Sequence, residues 1–383
     1  MNRTALVLGA GLGGISAAQS LRKALPHDDR VVLVDRAGDH VYQASLPWVL
    51  AGSRDLAQIS RPAEHAARRG IEYIHGEVES ISPAERSATI DGRVLGADVL
   101  IIALGAEYNA GAVPGLAEAG HCFYTSEGAV NGHQALDAFK GGRIAFLTAA
   151  PQYKCPAAPY EASLLVDGEL RRRGLRGSVQ IDFYAAEPGP MMTAGAEVSA
   201  AIRQLIESRD ITYHPGRTIA AVDADSRRLR FVNGDESAYD LLFYVPPHRA
   251  PSVIREAGLT DQSGWIPVDR HTLATKHEGV YAIGDVVVLP LKMGRPLPKA
   301  GVFAHAQGEV VAHNVAVAWT GRGVLRRFDG KGACFVETGD GRAGMGQGNF
   351  YAEPLPAVRL RPPSRLWHGA KVFYEKYWLY SRF

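Results

Sequence analysis

The chain has 383 residues and a net charge of only +2, so it is long enough for two or three lobes that each bury a core. Its 46% apolar and 21% charged content is typical of a globular protein and excludes extended disorder. The densest basic run, Arg171 to Arg173, forms no stripe for nucleic acid, so no nucleic-acid partner is expected.

The N-terminus runs directly into an apolar strand at residues 4–8, without the regions of a signal peptide. No apolar run reaches the roughly 18 residues that a transmembrane helix needs. We therefore expect a cytoplasmic protein, with any membrane contact peripheral and on the inner face of the cell membrane. Cys122, Cys155 and Cys334 are too few and too scattered for a disulfide scaffold or a zinc site, so no metal is expected.

Alternating apolar strands and helices predict an α/β protein with two Rossmann-like domains and a small C-terminal region. Strands at 4–8 and 31–34 flank an alanine-rich helix, which makes one βαβ unit. A strand at 143–148, a helix near 157–173 and a strand at 179–185 repeat that pattern. The predicted domains are 1–112 and 250–320 for the first Rossmann-like domain, 113–249 for the second and 321–383 for the C-terminal region.

A glycine-rich turn joins the first strand to the first helix. Gly9 permits the tight turn, Gly11 lets the backbone approach a pyrophosphate, and Gly14 permits close helix packing. The helix N-terminus stabilises phosphate charge. Asp35, at the end of the next strand, is placed to accept a hydrogen bond from an adenosine ribose. This context predicts a dinucleotide site rather than a glycine-rich turn without a ligand.

A similar pattern at Gly339 to Gly344 also follows a strand, but more glycines come after it and no helix can start there. We predict a hairpin loop at this position.

Two later segments favour FAD as the dinucleotide of the first domain. Residues 275–285 place a strand before Gly284 and Asp285, which resembles the second FAD fingerprint of flavoproteins with two dinucleotide domains, where the aspartate holds the ribityl chain. By the same resemblance, residues 97–105 return to the flavin and end at Gly105, with Leu104 in place of the usual threonine.

Lys299 and Val302 lie where an alanine-rich helix begins. Its N-terminus is suited to stabilise negative charge on reduced flavin, and Lys299 either adds to that effect or is solvated. With Val78, these residues complete the expected FAD-binding set.

The second βαβ unit has no glycine in the turn where a nicotinamide dinucleotide would bind. Cys155 occupies that turn instead, next to Lys154 and just before a predicted helix, and such a position favours the thiolate. Glu161 falls in the first or second turn of the helix. It is either a proton shuttle near Cys155 or a carboxylate that complements the helix dipole.

The sequence resembles the family of sulfide:quinone oxidoreductases and flavocytochrome c sulfide dehydrogenases. The resemblance covers nearly the whole chain, and it rests on the segments GAGLGG, HVYQASLPWVLAG, KCPAAPYE, GVYAIGD, LPKAGVFAHAQGEVVA and GACFVE. It implies that Cys155 and Cys334 form a redox disulfide beside the flavin and that Glu161 is the base.

The resemblance also bears on how the FAD is held. Residues 43–45, Gln-Ala-Ser, stand where the dehydrogenase branch has a cysteine that attaches FAD covalently, so noncovalent FAD is expected. Cys122 has no secure counterpart, and a buried inert thiol is its preferred interpretation.

The resemblance implies sulfide as electron donor and quinone as acceptor. HS⁻ would open the disulfide, and FAD would carry two electrons to quinone. The alternatives are an NAD(P)H:quinone or NADH-dependent disulfide oxidoreductase of the same fold, and a flavin redox sensor without turnover. The aromatic and basic segment 367–383 predicts an interfacial helix on a membrane surface, although core packing or a dimer seam of a homo-oligomer stays open.

Overall fold

The computed structural model describes residues 2–383, except for the side chains of residues 67–69. Two five-stranded parallel sheets dominate it, which confirms the predicted α/β class. Their central strands are apolar on both faces because helices and smaller sheets cover them.

The first sheet contains the glycine-rich turn. Its strands, in spatial order, are Val280–Ala282, Val99–Ile102, Thr4–Leu8, Arg30–Asp35 and Glu72–His75. Helices Leu12–Ala24 and Gly301–Thr320 pack closely against each other. The approach depends on glycine, since a Cβ on Gly308 would lie 2.5 Å from the carbonyl oxygen of Gly13.

The second sheet repeats the design in another part of the chain. Its strands are ordered His121–Cys122, Leu241–Val245, Gly142–Thr148, Val179–Ala185 and Ile211–His214, all parallel. Helices Ser126–Ala138, Ala158–Arg172 and Ala196–Glu207 accompany it.

The C-terminal region is a three-stranded antiparallel sheet followed by a helix. Strands Lys331–Glu337, Ala343–Asn349 and Ala357–Ser364 precede helix Arg365–Ser381. The first two strands are joined by residues 338–342, which confirms the hairpin predicted at the second glycine pattern.

The other described elements are short. Two further three-stranded sheets are Val78–Ser82 with Ser87–Ile90 and Arg93–Gly96, and Ile219–Asp223 with Arg228–Phe231 and Glu236–Ala238. Paired strands are Asp39–Val41 with Ser60–Pro62, Glu107–Tyr108 with His248–Arg249, and Ile266–Pro267 with Val287–Val288. Short α-helices are Leu46–Leu50, Leu56–Ile59, Leu116–Ala119 and Ser252–Glu256. The predicted domain boundaries stay predictions.

Candidate functional site

The glycine-rich turn has the backbone that a pyrophosphate needs. Gly9 has φ +104°, and a Cβ there would lie 2.4 Å from the carbonyl oxygen of Ala103. A Cβ on Gly14 would lie 1.8 Å from the oxygen of Gly9. A Cβ on Gly11, in contrast, would meet no atom within 4 Å. Open space therefore lies at the glycine where backbone and phosphate would meet.

Asp35 braces this turn. One carboxylate oxygen accepts from the amide of Ala10 at 2.5 Å, and the other accepts from the amide of Ala37 at 2.7 Å. Because each carboxylate oxygen has two lone pairs, the predicted ribose contact remains compatible with this arrangement.

Asp285 and Gly105 lie at the ends of adjacent strands of the first sheet. The Oδ1 atom of Asp285 is buried and has no hydrogen-bond partner among the described residues. Such an atom is costly unless a ligand or water satisfies it. Gly105 has φ +70° and open space where a Cβ would stand. The orphaned carboxylate oxygen and the open glycines fit a bound flavin dinucleotide.

Lys299 of the first Rossmann-like domain contacts the Cys155 loop, which we define as residues 149–157. Its Nζ donates to the carbonyl oxygens of Asp285 at 2.7 Å and Val287 at 2.8 Å, and lies 3.5 Å from the ring centroid of Trp265. Burial lowers the pKa of Lys299 to about 7. Lys299 is therefore not freely solvated.

The two valines of the expected FAD set occupy different environments. Val302 lies in the first turn of helix Gly301–Thr320 and is half-buried, whereas Val78 is buried in the core of the first domain. Both stay predicted FAD contacts.

Cys155 adopts a left-handed conformation with φ +48°, which is strained for a residue with a side chain. Its amide donates to the carbonyl oxygen of Lys299 at 2.6 Å, and its carbonyl oxygen accepts from the Tyr124 hydroxyl at 3.1 Å. The helix that follows begins at Ala158. Contacts outside the turn therefore fix Cys155.

The expected low pKa of Cys155 is wrong. Burial, followed by the proximity of Cys334 and Glu161, raises the pKa of Cys155 well above its usual range. Burial also raises the pKa of Cys334, to about 11. Lys154 interacts electrostatically with Cys155 but does not outweigh this effect, because burial lowers the pKa of Lys154 as well, and its Nζ donates to Oε1 of Gln43 at 2.5 Å. Both thiols are thus favoured in neutral form when the cysteines are reduced.

Glu161 lies beside both cysteines, in the first turn of helix Ala158–Arg172. It is 4% exposed and forms a buried ion pair with Lys371 of the C-terminal helix. Burial raises the pKa of Glu161, and Lys371 opposes that shift. Lys371 was not predicted as a site residue, since only the fold brings it to Glu161.

A cavity of about 310 Å³ lies where the second domain, the C-terminal sheet and residues 294–303 of the first domain meet. Cys155 and Cys334 both line it, and both are unbonded. The rest of the wall is mainly apolar and includes Ile202, Val358 and Leu360. The fold therefore brings the two cysteines, 179 positions apart in the sequence, to one cavity.

Cys122 is half-buried in strand His121–Cys122 of the second sheet. Burial raises its pKa to about 11. Cys122 does not line the cavity that Cys155 and Cys334 share.

The C-terminal helix has two different faces. Glu375 and Trp378 are buried, and Glu375 accepts from the Ser45 hydroxyl at 2.5 Å. The opposite face exposes four large apolar or aromatic side chains, Leu366, Phe373, Tyr377 and Tyr380. Their spacing of 7, 4 and 3 residues places them on one side of the helix. The helix thus packs on the protein and also presents an aromatic stripe.

Two kinds of feature are absent from the described residues, 2–383. None of the helices there has both the length and the apolar character to cross a bilayer. In the same residues no group of three or more His, Cys, Asp and Glu side chains is arranged to hold a metal ion.

The family model described as "Pyridine nucleotide-disulphide oxidoreductase" matches residues 3–308. The mitochondrial sulfide:quinone oxidoreductase of Mus musculus is 26% identical over 364 residues, with 91% of this chain and 79% of that protein covered. The sulfide-quinone reductase of Aquifex aeolicus is 26% identical over 405 residues, with 100% and 91% covered.

Structural comparison agrees with this likeness. The X-ray structure of the sulfide:quinone oxidoreductase from Aquifex aeolicus matches with a TM-score of 0.89 at 24% identity, covering 99% of this chain and 91% of that one. A type II NADH:quinone oxidoreductase of Staphylococcus saprophyticus is also similar, at 22% identity over 81% of each chain.

Proposed function

Since the chain belongs to the pyridine nucleotide-disulphide oxidoreductase family, we propose that it is an FAD-dependent sulfide:quinone oxidoreductase with Cys155 and Cys334 as its redox disulfide. The observation that carries the proposal is the shared cavity, which holds both cysteines with Glu161 next to them. The named relatives support sulfide as donor and quinone as acceptor.

The reaction begins at the disulfide. HS⁻ attacks one sulfur, a persulfide forms on that cysteine, the S–S bond breaks, and the other cysteine leaves as thiolate. Noncovalent FAD supplies the two-electron carrier that links the cysteines to quinone. Overall, HS⁻, quinone and one proton give zero-valent sulfur and quinol.

We assign the proton transfers of this exchange to Glu161 and its ion-pair partner Lys371. A buried thiolate is costly, and the cation of Lys371 stabilises negative charge near both cysteines. Glu161 interacts electrostatically with both cysteines, and we assign to it the transfer of the proton from an incoming sulfur species to a departing thiolate. The elevated pKa of Glu161 brings its proton affinity nearer to that of its reaction partners.

The aromatic stripe of the C-terminal helix is the surface that we assign to the membrane. It leaves Phe373 71% exposed, although the helix is anchored by Glu375 and Trp378. Aromatic side chains favour the bilayer interface, where lipophilic quinone is available. Flotation with lipid vesicles should therefore weaken for Phe373→Ser combined with Tyr380→Ser, and unchanged flotation would remove this surface from the proposal.

The NADH-dependent alternative is disfavoured by the second domain. Glu187 lies two residues after the second strand of that unit, close to where the acid that binds ribose stands in a nucleotide-binding unit. Its carboxylate accepts instead from the hydroxyls of Tyr153 and Thr148, at 2.5 and 2.8 Å. A nicotinamide dinucleotide would have to displace these bonds and enter a turn without glycine.

Anaerobic mixing tests the proposal. Sulfide should bleach the bound flavin and NADH should not, and added quinone should restore the oxidised spectrum. Bleaching by NADH alone would identify the NADH-dependent enzyme, while reduction by sulfide without reoxidation by quinone would leave a sensor. Denaturation should release FAD into solution, because no cysteine occupies residues 43–45.

A further inference from the structure

Glu187 is a buried carboxylate that accepts hydrogen bonds from three side-chain hydroxyls. It is 5% exposed and lies in the cavity wall together with Cys155. Three hydroxyls donate to it: Tyr153 at 2.5 Å, Thr148 at 2.8 Å, and Tyr160. Burial raises the pKa of Glu187, and these hydroxyls oppose that shift. The carboxylate is therefore the centre of a local polar network in an apolar wall.

Two of the donors hold different kinds of backbone. Tyr160 belongs to helix Ala158–Arg172 and stacks on Phe183 with ring centroids 4.8 Å apart. Its position does not depend on the hydroxyl, because the helix and the stacked ring fix it. Tyr153 lies instead in the irregular Cys155 loop, two residues before Cys155. Its hydrogen bond to Glu187 therefore connects the loop to the segment that follows strand Val179–Ala185.

The Cys155 loop needs such connections. Cys155 has φ +48°, and a strained backbone persists only when its surroundings hold it. At Cys155 itself, the backbone amide donates a hydrogen bond to the carbonyl oxygen of Lys299 in the first Rossmann-like domain, and the carbonyl oxygen accepts one from the Tyr124 hydroxyl. On the N-terminal side of Cys155, the hydrogen bond from the Tyr153 hydroxyl to Glu187 attaches the loop to the second domain. Losing this attachment frees the residues that lead into the strained position.

We infer that Glu187 is a positioning residue for Cys155 and that it acts through the Tyr153 hydroxyl. An acid that follows the second strand of this Rossmann-like unit thus holds the cysteine loop. Its kinetic consequence rests on the proposed function, whereas its effect on the Cys155 thiol does not.

Two matched substitutions test the inference in the FAD-bound protein. Tyr153→Phe and Tyr160→Phe each remove one hydroxyl from the same carboxylate. Tyr160→Phe also removes a hydrogen bond to the Tyr153 hydroxyl, but it leaves Tyr153 bonded to Glu187, so only Tyr153→Phe detaches the Cys155 loop from the carboxylate. After reduction, iodoacetamide labelling followed by mass spectrometry should show Cys155 reacting about fivefold faster in Tyr153→Phe, the scale of one lost hydrogen bond. Tyr160→Phe should change that rate less than about twofold, and Cys122 is the internal control.

Sulfide-driven flavin reduction supplies the second readout. Tyr153→Phe should slow it about tenfold, while Tyr160→Phe stays near the wild-type rate. Glu187→Gln should resemble Tyr153→Phe, provided that its melting temperature remains close to wild type. Equal effects of the two tyrosine variants on Cys155 labelling would overturn the inference. Failure of sulfide to reduce wild-type flavin would instead overturn the proposed function and leave the labelling comparison intact.

Discussion

The two Rossmann-like units use one backbone plan for different chemistry. In the first, the turn after the leading strand contains Gly9, Gly11 and Gly14 and leaves space for a phosphate. In the second, the corresponding turn lacks glycine and places Cys155 in a strained conformation. The strand–turn–helix geometry is thus the same in both units, and the residues of the turn determine whether it binds a nucleotide or presents a thiol.

The acids after the second strands differ in the same way. The Asp35 carboxylate accepts hydrogen bonds from two backbone amides, and its oxygens keep further lone pairs for a ligand. The Glu187 carboxylate accepts hydrogen bonds from three hydroxyls of its own domain. One unit is open to a ligand at this acid and the other is internally satisfied. Substitutions in the two units should therefore separate FAD binding from sulfide chemistry.

The largest expected effect is loss of either cysteine of the cavity. Cys155→Ser and Cys334→Ser should each abolish flavin reduction by sulfide, because neither can form or reopen the disulfide. Both should retain FAD, since the glycine turn is unchanged, and FAD content is measured by absorbance after denaturation. Cys122→Ser is the matched control and should be mild, because Cys122 lies outside the shared cavity. Wild-type rates in both cavity variants would disprove the disulfide mechanism.

The next largest effect is expected at the buried ion pair. Glu161→Gln should slow sulfide oxidation by about 10²-fold, the lower end for a lost acid or base. Lys371→Met should move the acid limb of the pH profile to higher pH, because Glu161 loses the cation that opposes the rise of its pKa. Steady-state rates from pH 5.5 to 9 check both results.

Lys376→Met is the control for that pair, since Lys376 lies on the same helix and is more exposed. A pH profile that shifts equally in the two lysine variants would mean that net charge, rather than the contact with Glu161, sets the limb.

The sequence predicted the parts of the site that depend on local patterns. The glycine turn, Asp35 and the hairpin at 338–342 follow from residues that are close together in the chain, and the fold class follows from the repeated βαβ pattern. Lys371 could not be found this way, because it lies 210 positions from Glu161 and looked like part of a surface helix. The pKa of Cys155 was mispredicted for a related reason. A neighbouring lysine is visible in the sequence, but burial and the orientation of Lys154 toward Gln43 are not.

A smaller effect is expected in the first unit. Asp35→Ala should weaken FAD binding by about 1.5–3 kcal/mol, the scale of a hydrogen bond to a charged group. The turn also loses the acceptor of the Ala10 amide. Fluorescence titration of the apoprotein with FAD measures the change, and Asp39→Ala, an exposed acid nearby, should leave affinity intact. Equal FAD affinity in Asp35→Ala and wild type would exclude Asp35 from the site.

The smallest expected effect lies where the two units meet. The carbonyl oxygen of Lys299 accepts a hydrogen bond from the Cys155 amide, and its Nζ donates one to the carbonyl oxygen of Asp285. Burial lowers the pKa of Lys299 to about 7, so its side chain is charged below pH 7 and neutral above it. A charge at the start of helix Gly301–Thr320 should favour electron-rich reduced flavin by about 1 kcal/mol.

Lys299→Met should therefore slow sulfide-driven flavin reduction about fivefold at pH 6, with the difference closing above pH 8 as wild-type Lys299 loses its proton. The quantity to measure is the ratio of wild-type to variant rate at each pH, because titration of sulfide itself affects both proteins equally and cancels. Lys276→Met removes an exposed lysine of the same domain and should give a ratio near one throughout. A Lys299→Met ratio that stays constant from pH 6 to 9 would mean that Lys299 acts through its packing on Trp265 and its backbone contact with Cys155. Its charge would then have no part in the coupling of the two units.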